Sequence, residues 1–201
     1  MLAKIFGRYA CDGVSYVDSF SLKVSHPKRI LSHKVFKGLA ARSKTSVGWF
    51  FGFKLHLVVN SQGEIVDFML TSGNVADNNA ELLTTMMATV RGKVYADKGY
   101  LMKEELFKKL SSTGVHIVTK IRKNMKNILM DMTDKIMLRK KEMIESIGSL
   151  LKGSYNIEHS RYRSSKTLLV NVYSCSMTYA FHKNKPSVRK KWLFLVNPNS
   201  R

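Results

Sequence analysis

Asp97 ends a short β-prone segment, Lys93-Val94-Tyr95-Ala96-Asp97, and a glycine turn follows at once through Lys98-Gly99-Tyr100. A carboxylate at the end of a strand is held rigidly with its head facing a cleft, which suits a metal ligand. Two more acids stand apart by context. Asp18 lies inside an early run of β-branched and aromatic residues, and Glu145 sits in a long helical pattern. Hard oxygen donors of this kind are what Mg²⁺ prefers, and two such ions roughly 3.5–4 Å apart clamp the attacking and leaving oxygens of a phosphodiester. Each acid also has a plainer reading. Asp18 fits an exposed strand acid, Asp97 the first residue of a turn, and Glu145 a surface ion pair with Lys141. Lys placed N-terminal to Glu at this spacing is, however, the weaker order for such a pair. Asp67, Asp77, Asp131 and Glu142 are rivals that composition alone does not eliminate.

The chain around these acids is strongly basic. Its 201 residues carry 34 Lys and Arg against 14 Asp and Glu, a formal charge of +20. That balance is too lopsided for an ordinary metabolic enzyme and points to nucleic acid or anionic lipid. A membrane span fits badly. The longest mostly apolar run, 168–181, is interrupted by Asn171, Ser174, Ser176 and Thr178, and it is shorter than the roughly 20 residues a spanning helix needs. Residues 1–10 hold Lys4 and Arg8 without an apolar core, so they are not a signal peptide. Cys11 and Cys175 form no Cys-x-x-Cys pair, which argues against a disulfide framework or a zinc site. His26, His33 and His56 lack metal-ligand spacing and read as core or phosphate-contact residues. No Walker-type glycine loop, Gly-x-Gly-x-x-Gly or Gly-x-Ser-x-Gly is present. These features leave a nucleic-acid-facing protein of a reducing compartment.

The elements that must position the acids follow from periodicity. Residues 14–24 read as a strand containing Asp18. Residues 25–48 are basic and acid-free, a solvated loop or one that tracks a phosphate backbone. Residues 49–60 and 64–71 form an antiparallel hairpin across Ser61-Gln62-Gly63, with Phe53, Leu55, Leu57 and Val59 alternating against Lys54, His56 and Val58. This alternation implies a sheet with one well-buried face. A helix over 76–90, the strand ending at Asp97, a helix over 101–110 and a strand over 115–119 come next. After a basic stretch at 120–126, one long helix is expected over 134–152, with Ile136, Met143, Ile147 and Leu150 on one face. Glu145 then emerges on another side with Lys141, Ser149 and Lys152. A helix over 165–181 precedes a basic, Pro-containing extension. The order implies a mixed sheet covered by helices.

Six segments in this order, HKVFKGLA (33–40), GWFFGFKLHLVVN (48–60), TSGNVADN (71–78), ADKGY (96–100), TKIRKNMKN (119–127) and IEHSRYRS (157–164), resemble bacterial insertion-sequence transposases of the DDE type, most closely the insertion-sequence 982 family. The resemblance spans about residues 13–186. It implies an α/β, ribonuclease H-like (retroviral integrase-like) mixed β-sheet flanked by helices. It also implies a catalytic domain over 1–181 and a basic tail over 182–201. The three acids of the family fall on Asp18 in YVDS, Asp97 in ADKGY and Glu145 in MIES, as ligands of two Mg²⁺ ions or of Mn²⁺. Lys28, Arg29, Lys34, Lys37, Lys120, Lys123 and Lys152 are the expected phosphate contacts. Lys152 stands a helical heptad beyond the glutamate, where related transposases often carry a basic residue. The partners implied are double-stranded transposon ends and target DNA, with a homodimer on DNA and a cytoplasmic, nucleoid-associated location.

Two departures accompany the resemblance. Only seventeen residues precede Asp18, whereas family members normally carry a longer region there, expected to recognise DNA ends. Gly148 falls inside the helix of Glu145, where glycine costs about 1 kcal/mol relative to alanine. These features imply an N-terminally truncated, decaying copy. The alternatives are a ribonuclease H-like nuclease without strand transfer and an inactive DNA-binding remnant.

Overall fold

The computed structural model describes residues 12–120, 130–159 and 161–188. The basic stretch over 121–126, including Lys123, and the extension beyond 188 lie outside these residues.

A continuous run of β-formers builds the centre of the molecule. Strand β1 (Val14–Ser25) pairs antiparallel with β3 (Gly48–Asn60) on one side and parallel with β5 (Gly92–Ala96) on the other. Strand β6 (Val115–Thr119) extends the parallel half. Two strands share β3: β2 (Ala41–Thr45) pairs with its residues 48–52, and β4 (Ile65–Ser72) pairs with its residues 53–59. The expected mixed sheet is therefore present, and the expected hairpin closes within two residues of its anticipated ends. The short β2 was missed within the basic loop, because Arg42, Ser43 and Lys44 carry no apolar alternation.

Helices cover both faces of the sheet. Helices α1 (Ala80–Met87) and α2 (Glu104–Ser112) pack on one, burying Leu82, Leu83, Met86 and Leu110 with Val17, Val58 and Val94. On the other lie α3 (Met132–Arg139), α4 (Glu142–Gly153) and α5 (Ser165–Ala180), whose Met137, Ile147 and Val172 meet Tyr16, Leu55, Leu57 and Tyr95. This two-sided cover corrects the expectation of one well-buried face. His56 and Val58 are as deeply buried as Leu55 and Leu57, and each fully buried Val or Leu stabilises the fold by about 1.5–3 kcal/mol.

Two helices differ from their expected spans for identifiable reasons. The helix expected over 76–90 begins only at Ala80, because the Asn79 side chain accepts the Leu82 amide at 3.0 Å and caps it. Asp77 is thereby left in the preceding loop. The helix expected over 134–152 is two helices. Lys140 N–H donates to the Ile136 and Met137 carbonyls and closes α3, and α4 restarts with Met143 N–H on the Lys140 carbonyl. Beyond α5, the described part of the extension is tied down. Val188 is buried and donates its N–H to the Ser61 carbonyl at 2.8 Å, and Lys185 Nζ satisfies the Ala180 and His182 carbonyls. Among the described residues no helix is long and apolar enough to cross a membrane.

Candidate active site

Asp18 and Asp97 are neighbours because their strands are parallel and in register. Tyr16 of β1 lies opposite Tyr95 of β5, and side chains two residues on point to the same face. Both aspartates consequently emerge one step beyond the paired tyrosines, whose rings are tilted by 32° with centroids 5.5 Å apart. Tyr95 is itself anchored, its hydroxyl donating to Asp134 Oδ1 of α3 at 2.8 Å beside the Lys93 ion pair.

Asp97 does open a turn, as its plainer reading has it, but its carboxylate takes no part in that turn. The 3-10 turn Lys98–Tyr100 is closed by the Tyr100 amide donating to the Asp97 backbone carbonyl, while the Asp97 carboxylate caps nothing. Instead it meets Lys141 Nζ at 2.8 Å, and the same ammonium lies 3.1 Å from Asp18 Oδ2. The other Asp18 oxygen accepts the Ser19 amide at 2.9 Å.

Burial pushes the Asp18 carboxyl above its ordinary value, opposed by the Lys141 charge and the Ser19 amide. Burial would lower Lys141, but the two carboxylates outweigh it and hold the lysine above its ordinary value. The arrangement is two acids converging on one positive charge.

Lys141 is where sequence reasoning fell short. A single helix puts it on the Glu145 side with Ser149 and Lys152, away from the apolar stripe, yet it is buried. The break between α3 and α4 turns it inward, and heptad spacing over a supposed single helix conceals that. Glu145 lies one turn along α4, exposed, and its carboxylate has no hydrogen-bond or ion-pair partner among the described residues. It lines a shallow depression with Glu142, Ser146 and Ser149, apart from the aspartate cleft. Among the described residues no three His, Cys, Asp or Glu side chains are grouped to hold a metal. The structure thus brings two of the three expected acids together and leaves the third a turn away on the helix that carries Lys141.

Gly148 explains the approach of that helix. A Cβ there would lie 3.3 Å from the Phe20 ring of β1, and Lys152 Nζ sits 5.4 Å over the same ring while pairing with Glu158 at 3.1 Å. Positions 141, 148 and 152 of this helix thus meet β1 from Asp18 to Phe20. What read in the sequence as a helix-weakening departure is a packing contact. Gly148→Ala is expected to change stability by less than about 1 kcal/mol, helix propensity offsetting the tight contact. Gly148→Leu is expected to destabilise by about 1–3 kcal/mol by overpacking. Urea unfolding of the two variants checks this.

The cleft, about 280 Å³, is lined by Asp18, Asp97, Tyr100, Lys44 and Lys54, with Asp77 at its side. Of the rival acids, only Asp77 reaches it. Its carboxylate accepts the Ser19 hydroxyl at 2.8 Å and pairs with Lys54 at 3.2 Å, so it is already engaged. Of the expected phosphate contacts, Lys28, Arg29, Lys34, Lys37 and Lys120 are exposed, and Lys152 is half-buried. Tyr100 is fully buried.

His56 proves to be a core residue. Its Nε2 meets Thr71 Oγ1 at 2.9 Å, and Nδ1 lies 3.9 Å from Asp77 Oδ1. Burial lowers its pKa to about 4, Lys54 adding to the effect and Asp77 opposing it. A depressed folded pKa supplies stability that is present above the unfolded value, near 6.5, and is lost as pH falls through the folded one. His56→Gln is expected to remove a stability loss of up to about 3 kcal/mol between pH 6.5 and 4, read as the wild-type minus variant difference in urea unfolding across that window.

Comparison with known proteins adds two findings. The family model described as Transposase DDE domain matches residues 8–165. A cryo-EM structure of a simian T-cell lymphotropic virus intasome in complex with PP2A regulatory subunit B56 gamma is similar at a TM-score of 0.36 and 9% identity, over 90% of this chain and 60% of that chain. No curated protein sequence matches.

Proposed function

The chain belongs to the family of DDE-domain transposases, its fold a mixed sheet covered by helices, and from that premise we propose that it is the catalytic domain of an insertion-sequence transposase of the 982 family. The observation that carries the reading is the pair of strand aspartates sharing one cation. The Lys141 ammonium marks a point that an oxygen of each carboxylate reaches at once, and two hard carboxylates are a fit donor set for a divalent ion. Asp18 and Asp97 would hold that ion, and Glu145, unpartnered on the adjoining turn, would complete the set. Bound Mg²⁺ supplies Lewis-acid stabilisation of charge on the phosphate oxygens and a more acidic water.

The reaction is a pair of in-line displacements at phosphorus. A water oxygen bonds to the phosphorus at the element end, and the bond from phosphorus to the bridging 3′ oxygen breaks, leaving a 3′-hydroxyl. That hydroxyl then attacks a target phosphodiester, and the target's own 3′ oxygen leaves with a proton. Asp18 and Asp97 orient these oxygens from a rigid sheet. Lys28, Arg29, Lys34, Lys37, Lys120, Lys123 and Lys152 would contact phosphates of double-stranded DNA, giving affinity without base reading. The exposure of the first five supports that role, while Lys152 shares its charge with Glu158.

A pre-cleaved duplex carrying the DNA that flanks this gene, incubated with Mg²⁺ and a plasmid target, tests the proposal. Joined products are expected. Cutting of uncleaved ends without joining would favour a purely hydrolytic nuclease, and neither product would leave a DNA-binding remnant. Binding is expected to weaken by roughly 10³-fold or more between 50 and 200 mM salt if six or more phosphates are contacted. A filter-binding series that barely falls across that range would defeat the phosphate contacts.

A further inference from the structure

The tip of the β2–β3 hairpin is a feature the three-acid site does not use. Strand β1 pairs with β3 only as far as Phe51, and β4 only from Phe53 onward. Residues 43–50 therefore form a two-stranded arm beyond the main sheet, tightly closed by Thr45 opposite Gly48. Phe50 anchors the arm and is buried, whereas Trp49 beside it is 52% exposed and Val47 at the turn 91%. Lys44 stands directly across from Trp49. The Arg42 guanidinium covers the indole at 4.3 Å, and Lys44 Nζ lies 5.9 Å from the ring centroid.

A large aromatic ring left half-exposed forgoes burial energy, and a cation stacked on it holds it in one orientation. No acid occurs in the chain between Asp18 and Glu64, so the arm itself carries only positive charge. An indole flanked by two cations is the composition of a platform for a nucleobase, the ring stacking on the base and the cations meeting its phosphates. Bases inside a duplex already stack on each other, so the platform fits a base that is unpaired. Its position is informative as well, because Lys44 and Thr45 line the same cleft as Asp18 and Asp97.

We propose that Trp49, with Arg42 and Lys44, forms a stacking site for an unpaired nucleotide next to the scissile phosphate. This rests on the transposase reading for its DNA substrate but adds a single-strand contact that the three acids do not require. The site makes DNA with a frayed or splayed end the preferred substrate and places its free base on the arm.

The test uses the full chain with Trp192→Phe, so that Trp49 is the remaining tryptophan. Single-stranded oligothymidylate and a fork-ended duplex are expected to quench its fluorescence to saturation, and relaxed, covalently closed plasmid to quench it little. Trp49→Ala is expected to weaken oligothymidylate binding by about 10-fold or more, and Trp49→Phe by less than about 3-fold, with circular dichroism confirming the fold of both. Equal quenching by closed plasmid overturns the proposal in favour of a general duplex interface. Absent quenching with Trp49→Ala binding like wild type overturns it too, while retained Mg²⁺-dependent cleavage would keep the transposase reading. A shift of oligomeric state in Trp49→Ala, with DNA binding intact, would assign the arm to self-association instead. Failure of every DNA form to bind would sink both readings together.

Discussion

Asp97→Asn is expected to lower Mg²⁺-dependent phosphodiester cleavage by about a thousandfold or more while the protein stays folded. The rate effect follows from charge. A metal stabilises several kcal/mol of transition-state charge, each 1.36 kcal/mol is a factor of ten, and an amide in place of a carboxylate is a poor ligand for a hard cation. The stability effect follows from exposure. The Asp97 side chain is 58% exposed, and Lys141 keeps Asp18 when Asp97 is neutralised. Asp18→Asn is expected to cost the same activity but more stability, because Asp18 is only 24% exposed and its loss leaves the buried ammonium on a solvent-screened partner. Single-turnover cleavage and thermal melting of both variants separate the two effects. Nicking that survives Asp97→Asn unchanged would remove the metal-site hypothesis.

Glu145→Gln belongs in the same series and answers a different question. If α4 presents Glu145 to the ion held by Asp18 and Asp97, cleavage falls as far as it does for Asp97→Asn. The melting temperature should hardly move, because the carboxylate is exposed and unpartnered. Wild-type cleavage rates would assign the third ligand elsewhere. Asp77, the other acid on the cleft, is already committed to Ser19 and Lys54.

The parts of this site that sequence reveals are those governed by short-range periodicity. Asp18 and Asp97 stand out because each sits in a β-branched or aromatic run, and the hairpin over 48–72 is marked by alternation on both sides of a glycine loop. That the two aspartates are adjacent is a matter of parallel register, Tyr16 against Tyr95, and register between strands that are not consecutive in the chain has no local signature. Lys141 fails for a related reason. The apolar stripe Ile136, Met143, Ile147, Leu150 fits one helix, and nothing in that spacing marks the break at Lys140–Lys141 that separates two helices and lets the ammonium meet both carboxylates. Arg42, Lys44 and Trp49 are each unremarkable in the chain. They become a surface only when Lys44 pairs across from Trp49.

Lys141→Met carries the largest stability consequence. The Lys141 side chain is 6% exposed, and the substitution leaves two carboxylates side by side without their shared counter-charge. Removing one partner of a buried pair costs about 3–5 kcal/mol, and the exposure of Asp97 places the expected loss near the lower end, about 3 kcal/mol. Lys141→Arg is not expected to restore it, because a planar guanidinium cannot replace a compact ammonium in contact with two converging oxygens. A divalent cation can. Added Mg²⁺ or Mn²⁺, without DNA, is therefore expected to raise the melting temperature of Lys141→Met well beyond its effect on the wild type, where the ion must first displace the lysine. The stabilisation grows as RT ln(1 + [L]/Kd), so calorimetric titration of both proteins yields the ratio of affinities directly. A tighter site in the variant, by about tenfold or more, means that Lys141 and the metal compete for the same two oxygens. Equal affinities would mean that the ion binds clear of the ammonium, and the assignment of Asp18 and Asp97 as joint ligands would have to be given up even if both remain essential for cleavage.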